Sequence, residues 1–404
     1  MKSTAVLDKV LILLSALILA LLISGGITYQ SATMKLEIAQ IDAFAWIFFI
    51  LTYIRQKISG EFFPEEIKIF FERLLTTKNI LPISVTIYVI LQTAVLYTRF
   101  ISFHANAYDM SYVDQPLWAT THIGFLYSSL SVNNTYLGEH FAPILGVVGL
   151  LYRIWNNEAV IFLFQSLTLG MGAVLVHRLA NAYKLDILWA NALSLCFLLY
   201  QPLRAANTFD FREDNLFVVL FLGMLLAWKK SKYFWFWLCI FLSWLTKENA
   251  PVFTALTGLA LVITSKKKKN KVHAAVLTVL SGLAFIVINQ KLTPYFSGTA
   301  GKTRFAFRMG EFGNTTGDFV SYILQHPLVF LSYIAQMFLK KATIKYFAVI
   351  FIPFIFFSQK APKFFWIALA GFCMNVIIGI NSIGFHYECI LIPFLFAALI
   401  AGLA

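Results

Sequence analysis

The sequence is poor in charge and in cysteine. Only 13% of its 404 residues are charged, whereas 59% are hydrophobic and 17% are aromatic. A soluble fold of this size cannot hide so much apolar surface, and the long apolar runs exclude a β-barrel, whose strands alternate over about ten residues. The composition therefore predicts an all-α, multi-pass protein of the cell or plasma membrane with about 12 transmembrane helices, several shorter than the usual ~20 residues.

The cysteines and histidines form no metal-binding motif. None of the four cysteines shows C-x-x-C spacing, and the seven histidines give no H-x-x-x-H or H-E-x-x-H. The cysteines lie in or beside apolar runs, which is typical of small buried side chains and not of disulfides or metal ligands. No metal site and no cofactor is predicted, although a divalent cation remains an alternative for the acidic residues described below.

Basic residues exceed acidic ones, and the formal net charge is +13. Short loops contain Lys229, Lys230, Lys232, Lys266 to Lys269, Lys271, Lys360 and Lys363. Loops of this kind mark the cytoplasmic side of a membrane protein, so the charge does not predict a nucleic-acid partner. Lys340, Lys341 and Lys345 conflict with the resulting orientation, because they fall in a predicted outer loop.

Apolar and charged stretches divide the chain into three predicted parts. These are an N-terminal membrane hairpin (1–54), a cytoplasmic amphipathic linker helix (55–79) and a transmembrane domain (80–404) with main outer loops 104–157 and 291–345. Within those loops, residues 141–155 and 326–341 are apolar and end in polar residues. They are predicted to be helices that lie in the interface plane and roof a cavity.

Most acidic residues after residue 100 fall on one predicted side of the membrane. After residue 100, eleven of twelve carboxylates fall outside, with Asp186 as the exception. The eleven are Asp109, Asp114, Glu139, Glu158, Asp210, Glu213, Asp214, Glu248, Glu311, Asp318 and Glu388. Ionisable groups at the ends of membrane spans are costly, so their repetition at the same ends predicts a working polar site there.

The first motif of this site covers residues 108–118 and opens the outer loop directly after a long span. A carboxylate at Asp109 that faces a membrane cavity can take a proton from an attacking hydroxyl. Asp114 and Gln115 are predicted to bind substrate, Asp114 through a sugar hydroxyl. The alternatives for these acids are a helix cap, a cation partner or simple solvation.

The second motif contains Glu139 and His140, at the start of a predicted interface helix. They are predicted to contact substrate by gripping a phosphate, relaying a proton or holding a metal. Adjacent residues point in different directions on a helix, so one chelating pair is not expected. A glutamate near a helix N-terminus is also favoured by the helix dipole alone.

The third motif, residues 208–215, is the densest charge cluster in the chain and lies between two apolar runs. In the functional interpretation, Asp210 faces the cavity and Arg212 contacts a phosphate, which its planar guanidinium fits. In the structural alternative, Arg212 pairs with an acid of the protein.

The fourth motif places Lys247 and Glu248 between two spans with no room for a loop. A charged pair at this depth is costly, and a role with a lipid phosphate for Lys247 and with substrate for Glu248 is predicted. The alternative is a charged turn at the membrane interface.

The fifth motif precedes the last span. His386 and Tyr387 are predicted to hydrogen-bond a head group, since Glu388 lies next to them. A tyrosine at this level is also an ordinary interfacial anchor.

Together these motifs resemble a family of predicted membrane proteins of unassigned function, which is similar to the GT-C glycosyltransferase superfamily. The resemblance covers roughly residues 80–400 and rests on Tyr108-Asp109, Gln115-Pro116-Leu117-Trp118, Gly138-Glu139-His140-Phe141 with Pro143, Asp210-Phe211, Lys247-Glu248 and His386-Tyr387. The chain departs from the family where Arg212 replaces a usual histidine and Asn249 a frequent aspartate.

The resemblance implies a multi-span enzyme with a large first outer loop that takes a sugar from a polyprenyl-phosphate donor. Asp109 would be the catalytic base, and Lys247 or Arg212 would face the donor phosphate. The predicted partners are thus a polyprenyl-phosphate sugar and membrane lipids, at the extracytoplasmic face. The alternative hypothesis is a transporter or flippase without covalent chemistry, because membrane-depth charges also mark ion routes.

Overall fold

A computed structural model describes residues 4–24, 27–30, 35–38, 42–61, 63–298, 312–313, 316–355 and 361–404. The chain forms two compact units, Met1–Ile80 and Leu81–Ala404. Part of the predicted outer loop 291–345, including Glu311, lies outside the described residues. The two units are taken in turn.

The first unit is helical with one small hairpin. Its elements are α1 (Ala5–Ser24), β1 (Ile27–Gln30), β2 (Lys35–Ile38), α2 (Asp42–Ser59) and α3 (Glu65–Thr76). The strands pair antiparallel, which the all-α prediction did not include. Arg55 of α2 joins this helix to α1, because its Nε donates to Asp8 Oδ1 at 2.6 Å. Its Nη1 also donates to the carbonyl of Glu61, just after α2, at 2.8 Å.

The predicted linker helix 55–79 is interrupted. Helix α2 continues to Ser59, and the chain turns at Gly60, whose φ of 81° is in the left-handed region that favours glycine after a helix. Helix α3 then begins after Pro64 and carries Glu65 and Glu66 in its first turn, where the helix dipole favours acids.

The second unit holds the remaining helices. They are α4 (Ile80–Ile101), α5 (Ala107–His122), α6 (Leu145–Gly149), α7 (Ala159–Ala182), α8 (Ile187–Leu199), α9 (Gln201–Thr208), α10 (Asn215–Lys229), α11 (Tyr233–Trp244), α12 (Ala250–Thr264), α13 (Lys268–Val287), α14 (Thr293–Ser297), α15 (Thr316–Gln325), α16 (Pro327–Leu339), α17 (Lys341–Ile355), α18 (Pro362–Ile377) and α19 (Ile392–Leu403). A π-helical turn, Ile288–Leu292, connects α13 to α14, and 3-10 turns lie at Val132–Asn134, Tyr136–Gly138, Leu150–Arg153 and Tyr387–Ile390.

Fewer helices than expected are long enough to cross a membrane. Among the described residues, three helices are long and apolar enough to cross a membrane: Ile80–Ile101, Ala159–Ala182 and Lys268–Ser297. A fourth is counted if α15 and α16, bent by 101°, form one broken span. The predicted number of about 12 is therefore not confirmed, because most other apolar helices have 10–17 residues, which at 1.5 Å per residue is short of a ~30 Å core.

The two predicted interface helices also differ from expectation. Residues 141–155 do not form one helix but the five-residue α6 followed by a 3-10 turn. Pro143 and Gly146 in this stretch disfavour a continuous helix. Residues 326–341 do contain a helix, α16, but it is the second arm of the bent pair.

Aromatic packing holds the centre of the second unit. The Phe217 and Phe221 rings of α10 stack 5.4 Å apart, and Phe221 lies 5.3 Å from Phe394 of α19. Helices α12 and α13 approach closely at Gly258, where a Cβ would meet Thr278 Oγ1 at 2.6 Å. Small residues permit such close approach between membrane helices.

Charge is segregated along these helices. Helix α10 begins next to Asp214 and ends at Lys229, and α12 begins after Lys247-Glu248 and ends just before Lys266. We call the first end of this bundle the acidic end (residues 210–214, 247–248 and 386–388) and the other the basic end (residues 229–232, 266–271 and 363).

Candidate functional site

An ion pair joins the segment 104–157, called the first loop below, to the turn before α10. Asp109 lies in the first turn of α5, whose start is capped by Asn106 Oδ1, the acceptor for the backbone N–H groups of Tyr108 and Asp109. Arg212 Nη2 donates to Asp109 Oδ1. The guanidinium is buried and the carboxylate is 29% exposed, so the pair has one face open to a ligand.

Asp210 makes a second link between the same two segments. Its Oδ2 accepts the backbone N–H of Asn106 at 3.0 Å. Burial raises the pKa of the Asp210 carboxyl, against the opposing effects of this bond and of the Arg99 charge. Asp210 is therefore oriented toward the start of α5, directly beside Asp109.

A buried glutamine of α7 fixes the turn that carries these residues. Gln165 Oε1 accepts the Arg212 backbone N–H at 3.2 Å and Asn215 Nδ2 at 2.6 Å. Its Nε2 donates to the Asn207 carbonyl at 2.9 Å. One polar side chain inside an apolar helix thus satisfies both ends of the turn.

Lys247 lies between two carboxylates. Its Nζ is 2.5 Å from Asp214 Oδ2 and 3.1 Å from Glu213 Oε1, and all three side chains are buried. Tyr136 of the first loop donates to Glu213 Oε2 at 3.0 Å. Lys247 therefore ties the turn between α11 and α12 to the start of α10, and Tyr136 ties the first loop to both.

The protonation of this triad follows from burial and from the lysine. Burial would raise the pKa of Glu213, but the charge of Lys247, together with those of His140 and Arg212, holds that pKa well below its usual range. Burial raises the pKa of Asp214 to about 6, only partly offset by Lys247. Burial would lower the pKa of Lys247, but Asp214 and Glu213 raise it above the ordinary value. The lysine is thus a fixed cation.

Glu248 forms hydrogen bonds with the second sequence motif, which contains Glu139 and His140. Its Oε1 lies 2.9 Å from His140 Nδ1, and its Oε2 accepts the Phe141 backbone N–H at 3.2 Å. Against burial, the charge and hydrogen bond of His140 lower the pKa of Glu248 to about 2. A backbone bond from Ile144 N to the Leu245 carbonyl, 3.1 Å, runs beside this pair.

His386 completes the cluster from the C-terminal side. Its Nε2 lies 3.6 Å from Asp214 Oδ2, and its ring is 5.4 Å from that of Phe209, over which the Arg212 guanidinium also sits. Burial, then the charge of Lys247, lowers the pKa of His386, so the ring is neutral. Among the described residues, His386 Nδ1 and Arg212 Nε are buried without a hydrogen-bond partner. The Tyr387 ring lies beside that of His386 in a tilted arrangement, with ring centres 4.3 Å apart.

Glu388 forms a separate buried group just behind. Tyr346 donates to its Oε1 at 2.7 Å, and Asn375 Nδ2 donates to the Tyr346 oxygen at 3.2 Å. Burial raises the pKa of Glu388 to about 7.

Two predicted site residues bond within the first loop. Asp114 accepts a hydrogen bond from Tyr152, and burial raises its pKa to about 6. Gln115 Nε2 donates to Ser129 Oγ at 2.8 Å and its Oε1 accepts the Ser129 backbone N–H at 3.0 Å. Their bonds stabilise the loop and do not join the charge cluster. Glu139, which precedes His140, is half-buried.

The structure brings together Asp109, Asp210 and Arg212 with Lys247, Glu248, His140 and His386. The sequence motifs contained Glu213 and Asp214 but assigned them no role, and Gln165 and Tyr136 were missed. An isolated glutamine within an apolar run is the signal that was available for Gln165. Among the residues that the structure describes, no three His, Cys, Asp or Glu side chains are arranged to hold a metal ion.

The first loop also contacts α14 directly. A Cβ at Gly138 would lie 2.8 Å from Ser297 Cα and 2.9 Å from the Phe296 carbonyl oxygen. Asn133 Nδ2 donates to that same oxygen at 3.2 Å. Only glycine permits this approach of the two backbones.

The fold and this cluster define a class, helical proteins with apolar spans and a buried network of charges at the helix ends. Residues 99–404 match the model of the family described as "Predicted membrane protein (DUF2079)", and the chain belongs to this family. It is accordingly a membrane protein. No curated protein and no solved structure matches the chain.

Proposed function

We propose that the chain is a membrane glycosyltransferase that moves a sugar from a polyprenyl-phosphate donor to an acceptor hydroxyl. One observation carries the proposal: charged residues from four distant segments meet at the acidic end, and the Asp109–Arg212 pair at its edge is partly exposed. A carboxylate beside a guanidinium offers a base and a phosphate ligand at one place.

The pairing refines the role of each residue. While the pair is intact, Arg212 occupies the lone pairs that Asp109 needs to accept a proton. A donor phosphate that binds Arg212 competes with Asp109 for the guanidinium and releases the carboxylate. The unpartnered Nε of Arg212 gives the phosphate a further hydrogen bond. Lys247 is held by two carboxylates, so its role is to position the turn that carries Arg212.

The reaction is an inverting displacement. The acceptor oxygen attacks the anomeric carbon of the sugar, and its proton goes to the Asp109 carboxylate. The bond between the anomeric carbon and the phosphate oxygen breaks, and the polyprenyl phosphate leaves with the electron pair, stabilised by Arg212. Asp114, Gln115, Glu139 and Tyr387 remain candidates for contacts to sugar or head group.

A reconstituted assay tests this reaction. The purified full chain is placed in liposomes with radiolabelled polyprenyl-phosphate mannose, glucose or galactose, and membranes supply the acceptor. Asp109→Asn should lower transfer at least about 100-fold, because it removes the general base. Arg212→Lys should raise the KM for the donor, because the planar fork is lost.

Asp186→Asn is the matched control. It makes the same chemical change at the other end of the bundle, where Asp186 accepts the Trp189 backbone N–H as the cap of α8, and asparagine caps a helix equally well. Transfer by Asp109→Asn at the wild-type rate would refute the assignment. Consumption of no donor by the wild type would refute the function.

We further infer that the acidic end is extracytoplasmic and that the shorter apolar helices also cross the membrane, as the prediction of about 12 spans requires. The lysines at the other ends of α10 and α12 support this orientation. Labelling tests it in a variant without native cysteines. Ile154→Cys, at an 81% exposed position of the first loop, should react with an impermeant maleimide from outside, and Lys267→Cys only after permeabilisation. The reverse pattern would overturn the orientation.

A transporter or flippase is the second candidate, favoured by the 101° bend between α15 and α16. Broken helices are common in transporters. The same liposomes separate the two functions, because a flippase moves the labelled lipid between leaflets without cleaving it. Translocated but chemically intact donor would support the second candidate over the first.

A further inference from the structure

The basic end contains a cavity of about 280 Å³. It lies where α7 and α10 end and where α13 and α18 begin, and it is far from the charge cluster because α10 runs between the two. Its polar lining includes Tyr183, Lys229, Lys267, Asn270 and Lys363. None of these residues takes part in the proposed sugar transfer, so the inference is independent of it.

The cavity carries uncompensated positive charge. Three lysines line it, and its described lining residues include no carboxylate. Lys229 Nζ sits 3.5 Å from the centre of the Tyr183 ring, and Lys363 Nζ donates to Thr264 Oγ1 at 3.2 Å. These neutral partners orient the ammonium groups but leave their charges unbalanced. Like charges around one small space repel, and a bound anion removes that repulsion.

The N-termini of two helices add to the positive electrostatic potential in the cavity. Lys267 is the N-cap of α13 and Ala361 that of α18, and neither start has a side-chain cap bond. These helices have 20 and 16 residues, so each presents the positive end of a full dipole. Unsatisfied N–H groups and the dipole together favour phosphate at such a terminus.

Apart from Ser231, the other residues that line the cavity are apolar. Trp228, Phe364 and Leu225 line the cavity beside the lysines, and the neighbouring helices are apolar along their length. An amphiphile with an anionic head and an apolar tail matches this pairing of a charged rim with an apolar wall. Basic pockets between membrane helices bind lipid head groups in this way.

We propose that this cavity binds the phosphate group of an anionic ligand, with Lys229, Lys267 and Lys363 as its charged contacts. The shared chemistry is an anionic phosphate group, and two sources can supply it: a phospholipid head group or a soluble phosphate compound. The apolar wall favours the lipid.

Binding to defined probes tests the proposal. The full chain is purified and placed in phosphatidylcholine nanodiscs with or without phosphatidic acid. Native mass spectrometry counts retained lipid and a melting curve measures stabilisation. A second arm adds inorganic pyrophosphate to the chain in phosphatidylcholine alone. Wild type should retain phosphatidic acid and melt at a higher temperature with it.

The pocket variant replaces Lys229, Lys267 and Lys363 by glutamine. The control variant replaces Lys266, Lys268 and Lys271 by glutamine, which removes the same charge next to the start of α13 at residues that do not line the cavity. The pocket variant should bind at least about tenfold more weakly, since charge-assisted phosphate bonds are lost. The control should keep wild-type affinity. The substituted side chains are at least partly exposed, so folding should survive, and Lys363→Gln alone gives a milder check.

Each outcome decides the matter. Loss of phosphatidic acid in the pocket variant alone supports a lipid head group. Stabilisation by pyrophosphate with the same lysine dependence, and none by phosphatidic acid, supports the site with a soluble ligand. Equal weakening in both variants means a diffuse loop charge and overturns the proposal, as does the absence of any binding by the wild type.

Discussion

The two ends of the same bundle hold their charges in different ways. At the acidic end, Arg212 and Lys247 are buried and paired with carboxylates that come from other segments. At the basic end, Lys229 and Lys267 are exposed, and Lys229 contacts an aromatic ring rather than an acid. Buried pairs depend on every partner, whereas exposed lysines depend on few. Substitutions at the acidic end should therefore disturb folding far more.

The largest effect is expected from Lys247→Met. It leaves Glu213 and Asp214 buried without their cation, which should lower the free energy of unfolding by about 3–5 kcal/mol. Melting of the purified chain in detergent measures it, with Lys267→Met at the basic end as the matched control. A Lys247→Met protein that melts with the wild type would remove the contrast between the two ends.

Gln165→Leu tests whether the acidic end also depends on a neutral residue. The change removes four hydrogen bonds from the turn and its flanks and should cost up to about 3 kcal/mol, since buried donors are left unsatisfied. Gln92→Leu is the control, because its side-chain oxygen has no hydrogen-bond partner among the described residues. Equal melting temperatures for the two variants would contradict the role of Gln165.

Asp114, in the first loop and outside both ends of the bundle, should make the stability of the fold depend on pH. Its pKa is raised from 3.8 to about 6 by burial, so between these values the folded state binds more protons than the unfolded state. Stability from this group is then highest below pH 4 and is lost as the pH rises through 6. The difference in stability between wild type and Asp114→Asn should shift by about 3 kcal/mol across this window. Parallel pH profiles would show that Asp114 ionises freely.

The smallest effect is expected from Lys229→Met. The ammonium loses only its contact with the Tyr183 ring, which should cost about 0.5–1 kcal/mol at an exposed site. Tyr183→Leu in the same background should then add little, and this double-mutant cycle measures the contact. A loss of stability as large as that of Lys247→Met would mean that folding depends on the lysines of the basic end as much as on those of the acidic end.

The helical class and the gathering of acids at helix ends could be predicted from the sequence. Both follow from the local alternation of apolar runs and polar breaks. The partners could not, because Asp109 and Arg212 are 103 residues apart and meet only through packing. The same limit applies to the contacts of Lys247 with Glu213 and Asp214, and its predicted role with a lipid phosphate stays a prediction.

The helix count was the weaker part of the prediction. Hydropathy records apolar composition but not where a helix ends, as at α8, which ends at Leu199 and is followed by the separate helix α9. The hairpin between α1 and α2 was missed for a related reason, since its strands have only 4 residues each. Periodicity over so few residues does not distinguish a strand from a loop.

The close contact at Gly138 allows the geometry of the site to be changed without altering its ionisable side chains. A single added methyl group there has nowhere to go except into the backbone of α14. Gly138→Ala would thus push the first loop away from the backbone around Ser297, and it would not change any ionisable side chain. Comparing that variant with Asp109→Asn would separate the geometry of the enclosure from the chemistry inside it.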